Sequence, residues 1–344
     1  MLDVCISTNS PDIICITEVL PKNSLIEATA ETYQIRGYNL VAYNFKKRGI
    51  CIYSKPHISI TVCDFVSDFD EYIWCSITCK NDSFLLGCIY RSPSSEVDND
   101  IKLCSMIRKI LDKNYKDTVI VGDFNFGCID WNLRSTTSRS IAADLFLDTI
   151  GDLFLEQLVS EPTRVRNGQR SSLLDLVLTN NIFFVDEIVL EDPIGKSDHV
   201  VVNVTINVDI EDTVLIERRL YYKGDYISMR NYFNSIDWVT LLCEENTQNS
   251  WDIFYDHFKF ALNEFIPVTT KPIVLDGCPW INSDVRSHIK NKRKSFNKYY
   301  RRPTKENWLS YTIERNLSST ITNNARQEYE HLICVDSKQN PKTF

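Results

Sequence analysis

Apolar residues are distributed in two different ways along this chain, and the change falls near Asp209. Before it, short unbroken apolar runs alternate with polar, turn-rich connections. The runs are Ile13–Thr17, Gly49–Tyr53, Tyr72–Thr78, Phe84–Tyr90, Thr118–Val121, Leu173–Thr179 and Val200–Val208. Runs of this length, bounded by turn residues, predict strands buried on both faces. Asp98–Lys113 and Ser140–Leu158 repeat their apolar residues at helical spacing instead, and Met1–Ser7 reads as the latter part of a helix. Strands with so few helices among them predict a layered α/β sandwich, two packed mixed sheets flanked by helices, rather than a strict βαβ repeat.

Beyond Asp209 the chain is rich in Asn, Tyr and charge, and its periodicity is helical. Helices are predicted over Asp225–Phe233, Ser250–Phe265, Asn282–Tyr300 and Lys305–Cys334, with Pro267–Pro279 as a loop. An acidic connection at residues 208–217 separates the two textures. The expected organisation is an α/β domain over residues 1–207 and a mainly helical region over 208–344, a division that 344 residues can accommodate.

Charge sharpens that division. The net charge is −8, which excludes a generally basic nucleic-acid coat. Residues 1–207 hold 19 Lys+Arg against 28 Asp+Glu, while residues 208–344 hold 19 against 18. From Arg286 to Lys305 there are nine Lys or Arg and no acid, with Phe296, Tyr299 and Tyr300 interleaved. Such a stretch suits contact with nucleic acid, including RNA, through phosphates and stacking. Its plainer reading is a solvated helix face whose aromatics pack on neighbours. It also contains Lys290-Asn-Lys-Arg-Lys294, a nuclear-import-like run. The twelve cysteines form no CxxC pair, and several sit singly in strand-like runs, as expected of reduced thiols inside the cell. No run approaches the roughly 20 apolar residues of a membrane span.

Candidate chemistry lies at the strand ends, where open α/β sheets gather functional groups. Glu18 ends the run Ile13–Thr17, and its carboxylate suits a hard divalent cation. Gly122-Asp123-Phe-Asn125 follows Thr118–Val121. There Asp123 can orient and deprotonate a water, and the Asn125 amide can donate to a phosphate oxygen. Ser197-Asp198-His199 precedes Val200–Val202, and His199 can donate to a scissile phosphate if a nearby acid keeps it protonated. Asp175, alone in the apolar run Leu173–Thr179, needs a partner when buried, and His199 is the candidate. Tyr90 and Arg91 leave Phe84–Tyr90 with a phenol and a guanidinium suited to phosphate. Thr163 adds a loop hydroxyl. Taken singly, each has a plainer reading as a strand-end, rim or turn residue. Together they point to metal-assisted phosphodiester cleavage.

The order of these motifs resembles the endonuclease/exonuclease/phosphatase superfamily, and within it the endonuclease domain of non-LTR retrotransposons of the jockey or CR1 type. The resemblance rests on Pro11-Asp12-Ile-Ile-Cys-Ile-Thr-Glu18, Gly49-Ile-Cys-Ile-Tyr53, Tyr90-Arg-Ser-Pro93, Gly122-Asp-Phe-Asn125, Pro162-Thr-Arg164, Leu174-Asp-Leu-Val-Leu-Thr-Asn180 and Ser197-Asp-His199. Pro279-Trp280 and the basic helix after it resemble the connector that such elements carry before their polymerase.

That resemblance implies a four-layer sandwich that nicks DNA with Mg²⁺, or Mn²⁺, and leaves a 3′-hydroxyl for a polymerase to extend. It implies Glu18 as metal ligand, Asp123 as base, and Asn125 and Tyr90 on the phosphate. It further implies His199 oriented by Asp175, Asp198 supporting the metal or leaving group, and Arg91, Thr163 and Ser197 on the substrate side. Members of the family open with an additional strand carrying an Asn near the metal. This chain starts inside the following helix, so an N-terminally truncated copy is expected. No aromatic-x-Asp-Asp string occurs, so no polymerase activity is expected. A phosphatase or abasic-site nuclease on the same fold, or an inactive remnant that binds nucleic acid or a partner, are the alternatives.

Overall fold

The computed structural model describes residues 2–21, 30–44, 47–80, 82–113, 115–208, 215–243, 246–272 and 278–337. In chain order the elements are α1 (Leu2–Asn9), β1 (Ile13–Thr17), β2 (Asn39–Asn44), β3 (Ile50–Ser54), β4 (Ser59–Val62), β5 (Tyr72–Cys79), β6 (Asp82–Tyr90), α2 (Val97–Leu111), β7 (Thr118–Asp123), β8 (Ile129–Asp130), β9 (Ser135–Thr136), α3 (Ile141–Asp152), β10 (Glu156–Gln157), β11 (Asp175–Thr179), β12 (Val185–Glu191) and β13 (Val201–Ile206). They continue with β14 (Leu215–Arg219), α4 (Tyr226–Asn234), α5 (Trp238–Leu242), α6 (Thr247–Phe265), β15 (Val268–Pro272), α7 (Ser283–Arg301) and α8 (Lys305–Ser337).

A six-stranded mixed sheet, ordered β10-β11-β7-β6-β5-β4, is the frame of the larger unit. Its central strands are apolar on both faces because both faces are covered. On one side α2 and α3 pack Leu103, Ile107, Phe146 and Ile150 against Leu85, Ile89, Ile120 and Leu178. On the other, two antiparallel ladders complete the sandwich. Residues of β12 and β13 meet Ile77, Val119 and Val177, while Ile50 and Ile52 of β1-β3-β2 meet Ile73, Cys75 and Cys88. Helices α7 and α8 then pack Phe296, Tyr299 and Tyr311 against Val165, Val200, Leu190 and Val202. The expected helix–sheet–sheet–helix sandwich is present. The second sheet, however, consists of the separate ladders β1-β3-β2 and β12-β13.

The chain divides into two compact units, Met1–Glu211 with Asp276–Phe344, and Asp212–Leu275. Helices α7 and α8 fall in the same unit as the α/β core, a grouping that a helix's own periodicity does not encode. Much of the 208–217 connection lies outside the described residues. The smaller unit pairs β14 with β15, placing a strand inside the expected 267–279 loop, and packs Tyr232, Phe233 and Trp238 against α6. The expected helix over Ser140–Leu158 ends early, at Asp152, and the chain re-enters the main sheet as β10.

Candidate active site

Three neighbouring strands of the main sheet end at one level. In the register, Asp123 on β7 stands opposite Tyr90 on β6 and Asp175 on β11. Gly122 makes this possible. Its φ is +146°, and a Cβ there would sit 1.8 Å from the Ile89 carbonyl oxygen, so only glycine lets β7 approach β6 just before Asp123. Asn125 and Glu18 also sit at positive φ, 53° and 54°, where non-glycine residues are held under strain.

His199 reaches this level from the loop before β13. The segment 162–165 pins that loop: the Val165 amide donates to the Asp198 carbonyl at 2.8 Å, and the Val200 amide to the Thr163 carbonyl at 2.8 Å. His199 Nδ1 lies 2.8 Å from Asp175 Oδ2, which leaves Nε2 for a substrate. Asp123, Asp175 and His199 each offer a ligand atom, all within 4.8 Å of one another. The sequence-level pairing of Asp175 with His199 is therefore present in the geometry.

The electrostatics follow from burial and crowding. Burial, and then the Asp175 charge, push the Asp123 carboxyl up from 3.8 to about 7. Burial alone would lower His199, but its hydrogen bond and attraction to Asp175 prevail and raise it to about 9. The loop imidazole is thus a cation at neutral pH. Burial would also raise Glu18, yet hydrogen bonds from Arg48 and Tyr90 outweigh it and hold the carboxyl below its ordinary value. Burial raises Tyr90 strongly, so its phenol stays protonated.

Glu18 does not stand free. Arg48 Nη2 donates to its Oε2 at 2.8 Å, and the Tyr90 hydroxyl donates to Oε1. Arg48, missed from the sequence, is held in turn by its amide on Glu71 at 3.1 Å. The only signal was a cation immediately before the Gly49 run.

Other expected site residues occupy different places. Arg91 is 6% exposed, bonded to both oxygens of Asp100 at 2.7 and 2.8 Å, and stacked on Phe126. It secures the β6 exit and the Asn125 carbonyl and offers nothing to a substrate, a correction to the phosphate role read from its position. Thr163 is fully buried, and its hydroxyl accepts from the Leu174 and Asp175 amides, so it positions Asp175 rather than touching DNA. The Ser197 hydroxyl accepts from the His199 amide at 3.0 Å and shapes the loop. Asp198 Oδ2 takes Arg164 Nε at 2.9 Å. Asn125 donates from Nδ2 to the Arg91 carbonyl at 2.9 Å, and one amide hydrogen remains for another acceptor.

Residues 84–203 match the protein-family model described as endonuclease-reverse transcriptase. That segment is 120 of the 344 residues. It contains Tyr90, Asp123, Asn125, Asp175, Asp198 and His199, whereas Glu18 and Arg48 come from outside it. Among solved structures, the chain is similar to the endonuclease domain of TRAS1, a telomere-specific non-LTR retrotransposon, at 14% identity over 60% of this chain and 90% of that one, with a TM-score of 0.47. It is also similar to the 3′ phosphatase NExo from Neisseria bound to a product DNA hairpin, at 14% identity, 60% and 93% coverage and a TM-score of 0.45. An AP endonuclease from Archaeoglobus fulgidus gives 17% identity, 60% and 93% coverage and a TM-score of 0.46. Comparison with curated proteins gave no match. No helix among the described residues is long and apolar enough to cross a membrane.

The donor set fits a hard divalent cation. Its atoms are mainly carboxylate oxygens, and burial together with the repulsion between Asp123 and Asp175 raises the Asp123 carboxyl, a penalty that a cation would relieve.

Proposed function

We propose that this chain is a divalent-metal-dependent DNA endonuclease, nicking a phosphodiester bond to leave a 3′-hydroxyl that a polymerase can extend. One observation carries the reading: Asp123 and His199, within 4.8 Å of each other's cluster, are tuned in opposite roles. A carboxyl near 7 is matched to taking a proton from water at neutral pH. An imidazole near 9 is matched to supplying positive charge and a hydrogen bond.

In this reading Asp123 orients the attacking water and accepts its proton. His199 Nε2 donates to the scissile phosphate as negative charge grows there. Asp175 fixes the ring through Nδ1, and Thr163 fixes Asp175. The remaining Asn125 amide hydrogen positions a phosphate oxygen, and the Tyr90 phenol does so once a bound cation takes Glu18 from it. Glu18 and the free oxygen of Asp198, beside the Asp123–Asp175 pair, would hold Mg²⁺ or Mn²⁺, which when bound would supply Lewis-acid stabilisation of charge on phosphate oxygens. The match of residues 84–203 to the endonuclease-reverse transcriptase model supports the endonuclease reading, and action in the nucleus is part of the proposal.

The test is the chemistry of the new ends. A plasmid nicked by the protein should serve a DNA polymerase directly as a primer. Extension only after phosphatase treatment would mean a 3′-phosphate and would overturn the proposal, as would nicking that persists in EDTA.

A further inference from the structure

Helix α7 separates its cations by destination. Lys292 and Arg293 turn inward: Lys292 is 4% exposed, 2.7 Å from Asp192, and Arg293 pairs with Glu191 and Asp192. Phe296 and Tyr299 are buried, so these aromatics are not available for stacking on bases. The other seven cations of the stretch, Arg286, Lys290, Lys294, Lys298, Arg301, Arg302 and Lys305, are all exposed. Among the described residues none of the seven takes part in an ion pair. Arg286, Lys290, Lys294 and Lys298 follow one another at four-residue steps, so they form a single ridge on the outer side of the helix, with Arg302 just past its end.

Like charges at i and i+4 repel, and a solvated helix ordinarily interleaves acids among them. Here the acids that pair with the helix's lysines and arginines, among the described residues, sit under it, on Glu191 and Asp192, and the one acid of the helix itself, Asp284 in its first turn, pairs with His288. From Arg286 onward the outer face is left with one sign only, on a chain whose net charge is −8.

The helix is also seated beside the candidate active site within the same compact unit. The Tyr300 hydroxyl donates to the Pro162 carbonyl at 2.8 Å, next to the Thr163 that holds Asp175. Phe296 and Tyr299 share a cluster with Val200, adjacent to His199. From Arg286 to Arg301 the helix rises about 22 Å at 1.5 Å per residue, against one phosphate per strand about every 3.4 Å of duplex axis. The ridge thus spans about six phosphates of one strand.

We infer that the exposed ridge of α7 is a backbone-binding rail for duplex DNA, extending the contact made at the active site and independent of base sequence. The inference rests on the endonuclease reading only for the choice of DNA, and its test is made without cleavage. In EDTA, the full chain and a Lys290→Gln/Lys294→Gln/Lys298→Gln variant would be titrated with a 20-base-pair duplex across a range of NaCl concentrations. Each lost phosphate contact lowers the salt slope by about 0.9, so the triple variant should lose about 2 to 3 from the slope. It should bind at least tenfold more weakly near 0.1 M salt. The matching Lys→Arg triple variant keeps the charge and should behave as the parent.

An unchanged slope in the Gln variant overturns the rail. So does a slope that falls on RNA of the same length but not on DNA, which would make the ridge an RNA-binding face. A fallen DNA slope in a protein that never nicks keeps the rail and removes the endonuclease reading instead. Circular dichroism of each variant separates lost charge from lost fold.

Discussion

Replacing Asp123 with Asn should leave the protein more stable and inactive. Asp123 is 5% exposed and faces Asp175, and its carboxyl is raised from 3.8 to about 7. A raised carboxylate favours the protonated form on folding, so the stability it supports is complete below about pH 4 and falls as pH rises, until the folded group itself ionises near 7. At about 1.4 kcal/mol per pH unit the full rise corresponds to a ceiling of about 4 kcal/mol of strain in the metal-free enzyme above pH 7. Asn keeps the shape and can still accept the Asn125 amide that reaches Asp123 Oδ1 at 3.2 Å, but it carries no charge. The variant should therefore match the parent near pH 4 and exceed it by about 2–4 kcal/mol near pH 8. Urea denaturation in EDTA at a series of pH values measures this directly. A stability difference that does not change with pH, or a variant weaker than the parent near pH 8, would refute the placement of Asp123 beside a second buried charge.

Asp175→Asn should lower the His199 titration from about 9, because burial then acts against only the Asp123 and Asp198 charges; an NMR titration of the imidazole reads this, and an unmoved value would break the pairing. The stabilisation from the raised imidazole is fully present below pH 6.5 and lost as pH passes through about 9, so the Asn variant should lack that alkaline loss. Thr163→Val leaves the Leu174 and Asp175 amides without an acceptor, each at about 1–3 kcal/mol, and chemical denaturation should show a loss of at least about 2 kcal/mol. Arg48→Gln removes the cation that competes for Glu18 and should tighten Ca²⁺ binding several-fold by calorimetry, in keeping with about 0.5–1 kcal/mol for a partly exposed ion pair. Weaker binding would instead make Arg48 a support of the site.

The strands that build the floor of the site were legible because they are short, apolar on both faces and followed at once by their polar residues. Asp123, Asp175 and Tyr90 stood out for that reason, and Asp175 most of all, as a charge inside an apolar run. β2, β4 and β12 escaped notice because their apolar residues are diluted by exposed polar ones at the sheet margins. The side-chain partners were less legible than the strands. Arg91 and Thr163 have the composition of phosphate contacts, but their polar groups are taken by Asp100 and the Asp175 amide, which lie on other elements. Arg48 is the converse case, lying 30 residues from the Glu18 it holds. The docking of α7 on the α/β unit depends on Asp192 and Pro162 meeting Lys292 and Tyr300, which no periodicity within the helix encodes.

The central claim is that Asp123 and His199 act together in metal-dependent strand cleavage. Supercoiled plasmid would be incubated with the full chain in Mg²⁺ and in EDTA, alongside Asp123→Asn and His199→Ala proteins shown to be folded. The account predicts open circles with the parent only when Mg²⁺ is present, none with Asp123→Asn, and a rate lowered by at least about a hundredfold with His199→Ala. Nicking by Asp123→Asn at the parental rate, or none by the parent at any Mg²⁺ or Mn²⁺ concentration, would contradict it.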